Sequence, residues 1–148
     1  MRKKGVNLLA IWCTSPPEFH SNDRVVSLVY HHPPEIEPGT KGTIVSPRVG
    51  NLYVVQLPNG DLHSWFAGSE LQPITPQFNC RELICEGSLA RIVATEGHPP
   101  HIKPGMIVKI IKAIGQVSFY DLMIDEKGYH RWLAGFEIVP LDVVSQEK

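Results

Sequence analysis

The chain has no apolar run near the roughly 20 residues that a bilayer-crossing helix needs, and this excludes an integral membrane helix. It has no excess of charge either. Fourteen Lys and Arg stand against 15 Asp and Glu, so there is no bulk positive field to draw in nucleic acid or anionic lipid. Cysteine is scarce and odd in number, three in 148 residues, whereas small secreted domains carry even sets. Cys13, Cys80 and Cys85 are therefore expected to be inert thiols in a reducing cytosol. There is no Gly-x-Ser-x-Gly and no glycine loop that would cradle a phosphate ahead of a helix, and no nucleophile stands beside a base. Catalysis is not expected, and neither a cofactor nor a metal.

The first thirteen residues start basic and turn apolar, as a leader would. Their apolar stretch, Val6 to Trp12, contains Asn7 and puts a bulky Trp12 where cleavage needs a small residue. The expectation is a cytoplasmic protein whose residues 1–23 form an arm or a first strand. The remaining composition is globular, with 43% hydrophobic and 20% charged residues. Twelve glycines and 13 prolines point to short strands joined by turns.

The most informative feature is internal. His32-Pro-Pro-Glu-Ile-Glu-Pro-Gly39 recurs as His98-Pro-Pro-His-Ile-Lys-Pro-Gly105, identical at six of eight positions with a spacing of 66. Trp65-Phe-Ala-Gly-Ser-Glu-Leu-Gln-Pro-Ile74 recurs as Trp132-Leu-Ala-Gly-Phe-Glu-Ile-Val-Pro-Leu141, identical at five of ten with a spacing of 67. His63 matches His130 in the same way. The chain is a tandem duplication with copies at 24–75 and 88–142, a linker at 76–87 and a tail at 143–148. The linker is short and apolar, so the two copies are expected to pack together.

Each copy reads as five short strands. Val25 to Val29 and Leu89 to Val93 form first strands, and the proline-rich segment after each cannot be a central strand. Lys41 to Val45 and Ile107 to Ile111 are second strands; Leu52 to Leu57 and Ser118 to Ile124 are third strands. Tight turns at Pro58 to Asp61 and Asp125 to Gly128 lead into fourth strands, Leu62 to Phe66 and Tyr129 to Leu133. A 3₁₀ turn follows at Ala67 to Glu70, before a last strand at Leu71 to Ile74. This order resembles the SH3-like barrel superfamily of KOW, Tudor and bacterial SH3-like modules, and Pro38-Gly-Thr-Lys-Gly-Thr-Ile-Val45 is similar to the core of a KOW motif. The resemblance implies an all-β protein of two tandem five-stranded SH3-like barrels, packed together. It further implies a binding or adaptor module.

Four histidines, His32, His63, His98 and His130, occupy repeated positions. Residues i and i+2 of a strand share a face, so His63 lies beside Trp65 and His130 beside Trp132. Either these form an aromatic and imidazole patch that holds a ligand, or each tryptophan fills the core while its histidine bonds a loop carbonyl. His63, Trp65, His130, Trp132, His32 and His98 are the candidate partner-binding residues for a protein partner. Exposed tyrosines among Tyr30, Tyr53, Tyr120 and Tyr129 could line a groove. A nucleic-acid-associated module would instead use Lys103, Lys109 and Lys112, the densest basic set of the second copy. A third reading is a small inhibitory or regulatory protein of a phage or mobile element that binds one host complex.

Overall fold

The computed structural model describes residues 18–31, 36–75 and 83–141. The candidate His32, the cysteines Cys13 and Cys80, most of the expected arm and the whole tail lie outside them. Eight strands follow in order: β1 (Arg24–Ser27), β2 (Lys41–Gln56), β3 (Leu62–Ala67), β4 (Leu71–Pro73), β5 (Leu89–Ile92), β6 (Ile107–Ile124), β7 (Gly128–Ala134) and β8 (Ile138–Pro140). Single 3₁₀ turns, Gly68–Glu70 and Gly135–Glu137, lead into β4 and β8. The protein is all-β.

The expected pair of SH3-like barrels is not what forms. All eight strands belong to one open antiparallel sheet in the order β4-β5-β6-β2-β1-β8, with β3 added on β2 and β7 on β6. The cause lies in two segments taken as loops between a second and a third strand. Residues 46–51 and 112–117 stay extended, so each expected pair of strands becomes one long strand, β2 of 16 residues and β6 of 18. Three register shifts bend the β2–β6 ladder, near Val45, Asn51 and Ile111. Strand bulges of this kind increase local twist and turn a strand from one packing layer into another.

The long strands therefore cross between the repeats. Residues 42–50 of β2 pair with 117–124 of β6, and residues 52–56 pair with 109–114. Gly42 is required at this seam, because a Cβ there would meet the Met123 carbonyl oxygen at 3.1 Å and the Ile124 side chain at 3.2 Å. At the outer ends β1 pairs with β8, and β4 with β5. Neither repeat completes its own sheet. The β1 half combines the start of the first repeat with the end of the second; the β5 half combines the end of the first with the start of the second.

The cores follow the same exchange. Val25 and Ile44 pack with Tyr120, Leu122, Leu133 and Ile138 in the β1 half. Tyr53, Val55 and Phe66 pack with Ala90, Ile92, Val108 and Ile110 in the β5 half. Between them Leu52, Trp65, Phe119 and Trp132 form a central cluster. Burying each such side chain is worth about 1.5–3 kcal/mol, so most of the burial energy is gained only when both repeats are present. Two tyrosines tie matching chain entries to these cores: Tyr120 Oη accepts from Phe19 N–H and Tyr53 Oη from Ile84 N–H, both at 3.0 Å.

Candidate functional site

Both 3₁₀ turns end in a buried glutamate, and each glutamate collects donors from both repeats. The repeated Trp-x-Ala-Gly-x-Glu segment makes this possible, because the strand runs directly into the turn and folds the carboxylate back under it. Glu70 Oε1 accepts from Ala67 N–H at 3.0 Å, and Glu137 Oε1 accepts from Ala134 N–H at 2.9 Å. Each then accepts the indole N–H of the other repeat's tryptophan: Trp132 Nε1 donates to Glu70 at 2.7 Å and Trp65 Nε1 to Glu137 at 2.9 Å. A buried carboxylate without donors would be very costly; here the peptide and indole protons come from rigid elements. The peptide bonds Ser64–Trp65 and Arg131–Trp132 are both cis.

A histidine completes each set. His98 Nε2 lies 3.0 Å from Glu70 Oε2, and His31 Nε2 lies 3.1 Å from Glu137 Oε2. His31 thus makes the contact that corresponds to that of His98, although sequence spacing aligns His32 with His98. The second ring nitrogens differ. His98 Nδ1 faces His63 Nε2 at 3.2 Å, while His31 Nδ1 faces the Ser64 carbonyl at 2.9 Å. His98 is also stacked on Phe66, with ring centroids 4.2 Å apart.

His63, Trp65, His130 and Trp132 are all buried, at 6, 6, 0 and 1% exposure, so they form an interior network and not an open patch. Burial, with His98 and His130 next in effect, lowers the His63 pKa to about 3. Burial, followed by His31 and His98, lowers that of His130 to about 3. Neither ring nitrogen of His130 meets a hydrogen-bond partner among the described residues. Tyr53 and Tyr120 are core residues, whereas Tyr30 is 67% exposed. No group of three or more His, Cys, Asp or Glu among the described residues is arranged to hold a metal ion. Cys85 is disulfide-bonded, which corrects the free thiol expected there.

The outer faces of the two halves are unlike. In the β5 half Leu89 and Arg91 of β5 alternate outward beside Ile107, Lys109 and Ile111 of β6, with Lys109 paired to Leu89 and Ile107 to Arg91. Ile74, whose N–H bonds the Leu89 carbonyl, extends this strip, and Ile74, Leu89, Ile107 and Ile111 are each 37–43% exposed. Lys103, Lys109 and Lys112 are exposed. In the β1 half the register places Arg24 and Lys41 where Leu89 and Ile107 stand. There Arg24 forms a bidentate pair with Asp125, at 2.8 and 2.7 Å.

Sequence reasoning missed Glu70, Glu137 and His31. The signal for the glutamates was present in the repeated Trp-x-Ala-Gly-x-Glu, whereas His31 is revealed only by its contact.

The fold is shared with known structures. The crystal structure of a DUF1541 family protein, YdhK, from Bacillus subtilis is 18% identical over 86% of this chain and 87% of its own, with a TM-score of 0.58. The solution structure of the YdhK C-terminal domain is also 18% identical, over 83% of this chain and 94% of that one, with a TM-score of 0.58. At this identity the likeness defines an architecture, and this architecture replaces the SH3-like one. No protein-family model matches the chain, and no curated protein matches it.

Proposed function

We propose that the chain is a non-enzymatic binding module that recognises a protein partner through the outer face of β4, β5 and the first part of β6. The supporting observation is the difference in charge between the two outer faces. The β1 half carries Arg24 and Lys41 on its face, with Arg24 held by Asp125, beside exposed Val45 and Met123. The β5 half leaves an aliphatic strip in the open, bordered by Arg91, Lys109 and Lys112. Exposed apolar patches rimmed by charge are characteristic of interaction surfaces, and this rim fits a partner whose apolar residues are flanked by acidic ones.

The test converts one face into the other. Leu89→Arg with Ile107→Lys places on the β5 half the residue types found at Arg24 and Lys41. The tagged wild type and this variant are incubated with host extract, with and without nuclease, in the absence of reductant because Cys85 is disulfide-bonded. Mass spectrometry should then find a stoichiometric protein partner with the wild type that survives nuclease and is lost with the variant. The same captured set with both proteins would overturn the proposal. A partner set lost on nuclease treatment would assign Lys103, Lys109 and Lys112 to nucleic acid instead.

A further inference from the structure

The two carboxylates accept the same peptide, indole and imidazole contacts, and they differ most where Arg131 stands. Arg131 precedes Trp132, and its guanidinium lies 4.8 Å from the Trp132 ring centroid and 5.7 Å from that of Tyr129. Its Nη1 is 3.4 Å from Glu70 Oε2. Tyr129 Oη accepts from Arg131 Nε at 2.9 Å and donates to Asp121. The backbone is shaped for this side chain. Gly97 has φ +80, and a Cβ there would lie 2.8 Å from Arg131 Cγ. In the first repeat Ser64 precedes Trp65 and Leu62 replaces Tyr129. Glu137 therefore has the peptide, indole and imidazole donors of Glu70 and, among the described residues, no guanidinium.

That site is also the more open of the two. The Glu137 side chain is 9% exposed against 2% for Glu70, and Trp65 is 6% exposed against 1% for Trp132. Two exposed side chains adjoin it, Leu28 at 49% and Phe136 at 48%, and Tyr30, which precedes His31 in the chain, is 67% exposed. Leu28 N–H bonds the Glu137 carbonyl, and Phe136 meets the Trp65 ring edge-on with centroids 6.2 Å apart. Ser69 occupies the place of Phe136 in the other repeat. A carboxylate bonded to an indole whose ring meets an exposed phenyl suits a cation, and arginine is the cationic side chain that pairs with carboxylates and stacks on aromatic rings.

We propose that the Glu137 site is a seat for an arginine side chain from outside the chain, entering beside Tyr30 and Phe136 and meeting Glu137 as Arg131 meets Glu70. The His31 contact is compatible with this, since His98 and Arg131 approach the same oxygen of Glu70. The seat is independent of the outer face of the β5 half, and either can fail alone.

The probe is N-acetyl-arginine amide, with neutral N-acetyl-citrulline amide as its shape-matched control. Binding is followed by NMR through the indole N–H of Trp65, assigned with Trp65→Phe. A saturable shift with the arginine probe is expected, and citrulline should bind at least tenfold more weakly. Tyr30→Thr with Phe136→Ser, both at exposed positions, should weaken binding at least tenfold while leaving the folded spectrum intact. No saturable shift, equal responses to the two probes, or full binding by the folded Tyr30/Phe136 double variant would each overturn the seat.

Discussion

Glu70 and Glu137 are one feature built twice, and only one of the two has an arginine beside it. Glu70 lies beside a permanent cation, Arg131, which is supported by Tyr129 and by the close approach of Gly97. Glu137 has His31, whose ring bridges the carboxylate and the Ser64 carbonyl. The donors shared by both sites, a peptide N–H, an indole and an imidazole, hold the halves together. The residue that differs determines which site is closed and which retains an opening.

The largest test of this comparison separates the repeats. Fragments spanning 18–75 and 83–141 each lack half of every sheet and core, so each alone should be unfolded by circular dichroism. Mixed, they should regain β structure and the dispersed indole resonances of Trp65 and Trp132. A folded monomer from either fragment would contradict the exchanged pairing.

A smaller effect distinguishes the carboxylates. Glu70→Ala strands an indole, a peptide N–H, an imidazole and a guanidinium, and should cost roughly 3–5 kcal/mol in urea unfolding, the range for a broken buried ion pair. Glu137→Ala strands no guanidinium and should cost about 1 kcal/mol less or better, on the scale of one charged hydrogen bond. Adding Arg131→Met to Glu70→Ala should recover part of the loss. Equal costs for the two alanine variants would mean that Arg131 adds nothing.

The smallest effect concerns His63 and His130. Both are held neutral in the fold, with pKa values lowered to about 3 from 6.5, chiefly by burial. The unfolded chain therefore binds more protons than the folded one between those values. Stability should be full above pH 6.5 and fall as the pH drops towards 3, by at most about 1.4 kcal/mol per pH unit for each histidine. His130→Leu removes two unpaired polar atoms from a fully buried position. It should stay within about 1 kcal/mol of wild type at pH 7.5 and show a shallower acid dependence. An unchanged slope would show that His130 does not titrate on unfolding.

Much of the strand content was legible because it is local. The apolar run from Val25, which ends as a strand at Ser27 and not at Val29, the strand Leu62–Ala67, the turn at Pro58 to Asp61 and the 3₁₀ turn at Gly68–Glu70 stand close to where the sequence pattern places them. The pairing was not legible, because residues 46–51 and 112–117 carry Pro47, Gly50 and Gly115 and read as loops. Their extended form depends on the facing strand of the other repeat. The site was half visible. Repetition exposed His63, Trp65, His130 and Trp132, but which histidine of His31 and His32 reaches Glu137 depends on a one-residue difference in loop length.

The pairing of β1 with β8 sets the order of events during synthesis. Among the described residues the first strand, Arg24–Ser27, finds one of its two neighbours only in the last, Ile138–Pro140. Domains usually fold as units while the chain emerges from the ribosome, and contacts of such long sequence separation form slowly. Arg24–Ser27 must therefore stay unpaired on that side until residue 140 has been added. Early termination would leave an open strand edge with nothing in the same molecule to cover it.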